Sequence, residues 1–158
     1  MTEANQAPAA PRFQVTGQYV RDLSFENPGA PASLTGLSEK PAINVNIDLG
    51  AQKLNDELYE VVIKINASAN VQDKKLFVVE LEYAGLFAIS GVPEDRLEAI
   101  LFVDCPFVIF PYARRVISDV TRDGGFPPLL LEPIDFFALF RKRLEAKAAA
   151  EQKNETVQ

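Results

Sequence analysis

A chain of 158 residues has the length of one domain, and 47% apolar with 24% charged residues is an ordinary globular balance. The formal net charge of −6, with no basic stripe, argues against nucleic acid and anionic membrane surfaces as main partners. The absence of histidine and the presence of one cysteine exclude imidazole catalysis, Ser-His and Cys-His nucleophiles, thiolate metal clusters and an intramolecular disulfide.

Met1 to Arg12, MTEANQAPAAPR, is small and polar without the charged start and apolar run of a secretory signal, so a disordered tail is expected there. No window is long and apolar enough to cross a bilayer, and a cytoplasmic protein without membrane insertion is expected. From Phe13 to Phe25 aromatic and β-branched residues predict a strand. Counting by two puts Phe13, Val15, Tyr19, Leu23 and Phe25 on one face, and Gln14, Thr16, Gln18, Val20, Asp22, Ser24 and Glu26 on the other. Asn27 to Pro41 reads as a loop. Ile43 to Leu49 alternates cleanly, with Ile43, Val45, Ile47 and Leu49 opposed to Asn44, Asn46 and Asp48, as in a half-buried antiparallel strand.

Glu57 to Asn70 and Lys75 to Ile89 predict a hairpin around Gln72 to Lys74. In its second strand Phe77, Val79, Leu81 and Tyr83 share one face, and Leu76, Val78, Glu80 and Glu82 the other. A short helix is expected over Pro93 to Val103. A main helix is expected from about Pro111, past the interruptions at Pro106 and Pro111, to about Arg122. A third, with Asp135 as N-cap, runs from Phe136 to about Ala150 before a charged end that should fray. No repeat recurs at a fixed period.

Between the last two helices lies GGFPPLLLEP, Gly124 to Pro133, whose Phe126, Leu129, Leu130 and Leu131 break the rule that loops are polar. Its prolines forbid regular pairing, so these side chains must cover the core, meet a second subunit or wall a binding groove. Eleven of the aromatic residues are Phe, and seven of those crowd the C-terminal third, more than one small sheet can cover in a monomer. That excess predicts an oligomer or a groove. The carboxylate pairs Glu80 with Glu82 and Asp22 with Glu26 leave a small carboxylate-dependent hydrolase as a rival, but an open sheet face shifts their pKa values little without desolvation. No phosphate-cradling GxxxxGK[ST] or GxGxxG motif occurs, and no cofactor is expected.

The chain closely resembles the bacterial export chaperone family SecB. The resemblance is carried by YVRDLSFENP (Tyr19 to Pro28), LYEVVIKI (Leu58 to Ile65), EYAGLFAISG (Glu82 to Gly91) and CPFVIFPYARRVISDVTRDGGFPPLLLEPIDF (Cys105 to Phe136). It implies an α+β fold: a four-stranded antiparallel sheet with helices packed on one face, assembled as a homotetramer that is a dimer of dimers. The domain would span 13–144 between an N-terminal tail at 1–12 and a flexible C-terminal tail at 145–158. It further implies a non-enzymatic holdase that keeps precursor proteins unfolded and delivers them to the motor ATPase SecA. An oligomeric interaction domain without chaperone activity is the alternative. Matched by position, the family's SecA contacts fall on Asp22, Glu26, Val78 and Glu80, and its assembly-sensitive positions on Val79, Leu81 and Tyr83. Precursor binding is assigned to Ile43, Val45, Ile47, Phe87, Phe126, Leu129, Leu130 and Leu131.

Overall fold

The computed structural model describes residues 10–36 and 39–156, so residues 1–9 of the expected N-terminal tail lie outside the described residues. Four strands, β1 (Arg12–Glu26), β2 (Ala42–Lys53), β3 (Leu58–Val71) and β4 (Lys74–Ser90), form one sheet. Their order is β1-β4-β3-β2 and every neighbouring pair is antiparallel. The β3–β4 connection is the expected hairpin, and Gln72 takes the left-handed conformation of its tight turn at φ 53°.

Directly opposed residues share a face, so the register sorts the side chains. One face carries Val61, Ile63, Ile65 and Ala67 of β3 beside Val79, Leu81, Tyr83 and Phe87 of β4, all buried under helices. The open face carries Glu60, Lys64, Asn66 and Ser68 beside Val78, Glu80 and Glu82. β1 departs from the period-two count, because it holds one extra residue against β4 between Val15 and Gly17 and another between Val20 and Asp22. Each bulge inverts the alternation. Between them Gln18 and Val20 stand on the helix side opposite Gly85 and Tyr83, and Tyr19 stands on the open side opposite Ala84, the reverse of the expected placement. The second bulge restores the count for Asp22, Leu23, Ser24, Phe25 and Glu26.

The helical layer is more continuous than the prolines suggested. Helix α1 (Glu94–Ala99) passes through one π-helical turn (Ile100–Asp104) directly into α2 (Cys105–Asp123). The expected start near Pro111 is therefore corrected. Pro106 falls just after the π turn and Pro111 on the exposed side of α2; lacking amide donors, each leaves a carbonyl of the preceding turn without its helical partner, and the helix runs on through both. α2 lies close on β4 because of Gly85: a Cβ there would stand 2.7 Å from Phe87 Cε2 and 2.9 Å from Ile109 Cγ2. The third helix, α3 (Phe136–Glu155), is capped by the Asp135 carboxylate, which accepts the Ala138 N–H at 2.9 Å, as expected. It continues beyond Ala150 to Glu155, because AKAAAEQK favours helix and Lys147 reaches Glu98 of α1 at 3.2 Å. Its residues from Arg141 onward are exposed.

Cys105 is fully buried where the π turn meets α2, and burial pushes its thiol pKa far above the ordinary value. Val79, Leu81 and Tyr83 face α2 and are buried within this chain. They therefore underlie the helical layer and do not stand on the surface of this chain.

Candidate functional site

Two surfaces emerge on opposite sides of the sheet. On the helix side, α2 ends in a Schellman turn: Phe126 N–H bonds Thr121 O at 3.1 Å and Gly125 N–H bonds Arg122 O at 3.0 Å, with Gly125 at φ 92°. Gly124 is required by packing, since a Cβ there would lie 2.2 Å from Phe25 Cζ. Phe126 then turns inward, its ring 5.0 Å from that of Phe77 and 6.4 Å from that of Phe25. The buried Thr121 hydroxyl donates to Ile117 O at 2.9 Å and accepts the Leu129 N–H at 2.9 Å. Loop and helix are thereby locked together.

Held this way, the loop lies over the helix-side row of the edge strand β2. Ile43, Val45 and Ile47 with Leu129, Leu130, Leu131, Glu132, Pro133 and Ile134 line a groove of about 460 Å³. Leu130 is 65% exposed, and Ile43 and Val45 are also open to solvent. Six of the eight residues expected to bind precursors thus come together. Two do not. Phe126, at 8% exposure, anchors the loop to the core. Phe87 is fully buried, and it lies six residues along β4 from Leu81, whose row includes Ile47, or roughly 20 Å away. A smaller recess of about 120 Å³ continues the groove past Ile47 and is lined also by Phe102, Leu139, Phe140 and Arg143. The Arg143 guanidinium covers the Phe102 ring at 4.1 Å. Period-two counting could not find these residues, because their neighbourhood depends on how α3 folds back onto the π turn.

The central rows of the open face are mostly polar. Register aligns Asp22, Glu82, Lys64 and Asp48 in one row across all four strands, Ser24, Glu80, Asn66 and Asn46 in the next, and Glu26, Val78, Ser68 and Asn44 in a third. The four residues expected to meet SecA therefore form one patch on adjacent β1 and β4. Arg21, the residue inserted by the second bulge, pairs with Glu60 at 3.1 Å and Glu82 at 3.5 Å, and Lys64 pairs with Glu82 at 3.4 Å. Glu60 also accepts the Tyr19 hydroxyl; desolvation and this carboxylate raise the Tyr19 pKa. Asp22, Glu26, Glu80 and Asp48 make no ion pair among the described residues. Asp48 lies on the open side of its strand, as the alternation of Ile43 to Leu49 predicts. Its membership of the patch depends on register across three strands.

Among the described residues no three His, Cys, Asp or Glu side chains converge to hold a metal, and no helix is long and apolar enough to cross a membrane.

A family model described as preprotein translocase subunit SecB matches residues 6–147. The protein-export protein SecB of Parvibaculum lavamentivorans is 54% identical over 134 residues, covering 85% of this chain and 80% of the relative. That of Maricaulis maris is 47% identical over 156 residues, covering 95% and 91%. Among solved structures, a Mycobacterium tuberculosis SecB-like chaperone in complex with a peptide from the HigA1 antitoxin superposes with a TM-score of 0.65 at 19% identity, covering 78% of this chain and 91% of that one. The last likeness is one of fold.

Proposed function

The chain belongs to the SecB family of preprotein translocase subunits, and from that premise we propose how its two faces divide the work of a protein-export chaperone. It is a non-enzymatic chaperone of the export pathway. The groove between β2 and the Gly124–Pro133 loop takes apolar segments of unfolded precursors, and the open sheet face docks SecA through Asp22, Glu26, Val78 and Glu80. The observation that carries this reading is the groove: exposed Ile43, Val45 and Leu130 line a concave apolar surface that nothing in the chain covers among the described residues. Non-native chains expose apolar segments of many sequences, and burial of apolar area is non-directional, so one groove serves varied clients. No nucleotide is consumed by binding of this kind.

The carboxylates supply what the groove lacks. Exposed unpaired charge gives orientation and on-rate toward a basic surface, with strong salt dependence. The protein works in the cytoplasm as a homotetramer, a dimer of dimers. Exposed Phe107 (72%) and Tyr112 on the outer side of α2 support contact between copies there. Val79, Leu81 and Tyr83 influence assembly by supporting α2 from beneath. A refolding assay tests the chaperone reading. Stoichiometric protein should delay the refolding of a slow-folding precursor without ATP, and unchanged refolding kinetics would refute it.

A further inference from the structure

The open face holds a trough of about 320 Å³ that reaches from Asp22 on β1 to Asp48 on β2, with Glu80, Asn46, Asn66 and Lys64 between them. Two cations, Arg21 and Lys64, are engaged with two carboxylates, Glu60 and Glu82. What remains unpaired is acidic and lies at the two ends: Asp22, Glu26 and Glu80 toward β1, and Asp48 alone on β2. Three strand spacings separate Asp22 from Asp48, about 14 Å. Between these poles the floor carries the Glu82–Lys64 ion pair and the neutral Asn66. The charge pattern along the Asp22 row is therefore negative, neutralised, negative.

We propose that Asp48 is a second anchor of the docking face and that Lys64 is a selectivity residue between the anchors. This rests on the docking reading above and extends it from two strands to four. The occupant is a flexible basic segment of SecA that crosses the strands and places two positive charges about 14 Å apart. In extended chain that is roughly four residues. Lys64 neutralises Glu82 midway, so a basic residue seated there gains no free carboxylate and a segment with spaced positive charge fits better than one of closely packed charge. The side chain of Asp48 also accepts the Leu49 N–H at 2.9 Å, a bond that asparagine can keep, so Asp48→Asn removes charge without disturbing the strand.

The test is titration of SecA against the full-length protein and its Asp22→Asn, Asp48→Asn, double and Lys64→Gln variants at low salt, with precursor binding measured in parallel. Asp22→Asn and Asp48→Asn should each weaken SecA binding about two- to fivefold, the scale of one exposed charge pair. Poles this far apart act independently, so the double variant should lose the product of the two factors. Lys64→Gln should strengthen binding by a similar factor. Precursor affinity should not change with Asp22→Asn or Lys64→Gln; Asp48 also borders the recess beside Ile47, so its variant is read on SecA. Loss with Asp22→Asn but none with Asp48→Asn, or weaker binding on Lys64→Gln, overturns the second anchor and leaves the docking reading standing. Indifference of SecA to every variant, or no binding by wild type, overturns the docking reading itself and this proposal with it.

Discussion

The hydroxyl of Thr121 accepts the Leu129 N–H at 2.9 Å while donating to the carbonyl of Ile117 in its own helix. This buried link sets the height of Leu129–Leu131 above β2. Thr121→Val keeps the shape but strands the Leu129 amide, which costs about 1–3 kcal/mol. Both the midpoint of urea unfolding and affinity for an unfolded precursor should fall. Thr121→Ser, which keeps the hydroxyl, should retain most of each.

The groove and the core beneath it should respond differently to truncation. Leu130 is exposed, so Leu130→Ala should weaken precursor binding with little change in stability. Phe126 packs on Phe77 and Phe25, so Phe126→Ala should cost about 3–5 kcal/mol of stability. Denaturant midpoints for the two variants check the contrast. Equal midpoints would show that Phe126 is a surface residue, against its placement in the core.

Assembly gives a similar contrast between inner and outer sides of the helical layer. Leu81 is buried under α2, so Leu81→Arg should place a charge in the core and unfold the protomer. Phe107→Glu, on the outer side of α2, should lower the oligomer mass in light scattering while leaving circular dichroism unchanged. A native-like dimer from Leu81→Arg would contradict the buried placement.

Alkaline titration probes the buried groups. Desolvation raises the pKa of Cys105, Tyr83 and Tyr19 above their ordinary values. A raised folded-state pKa means that the folded chain holds the proton more tightly. The stability it contributes is full below the unfolded value, near 9 for the thiol and 10 for the phenols, and is lost as pH rises above it. Thermal midpoints should therefore decline from about pH 9 upward. Cys105 should resist thiol reagents at pH 8 until the chain is unfolded.

Much of the architecture is written in local pattern. Ile43 to Leu49 alternates, the Gln72 turn separates two β-rich runs, and Asp135 caps its helix, because each depends on neighbours within a few residues. The errors come from causes that local counting does not contain. One extra residue at each of two bulges flips Tyr19 and Val20, and only the pairing with β4 reveals it. Pro106 and Pro111 read as helix breaks, yet the helix runs on through both. Within the site, the apolar loop announced itself, whereas the inward turn of Phe126 is imposed by Gly124 and Gly125. Asp48 and Phe102 join their surfaces only through register and helix packing.

The central claim is that precursor and SecA are bound by opposite faces of one sheet, and cross-titration by calorimetry tests it most directly. Two double variants, Asp22→Asn with Glu80→Gln and Ile43→Ala with Leu130→Ala, are each titrated with SecA and with an unfolded precursor at low and high salt. The account predicts that the first loses SecA affinity, and its salt dependence, while keeping precursor affinity, and that the second does the reverse. Equal losses on both axes from either variant would show one shared surface and contradict the division.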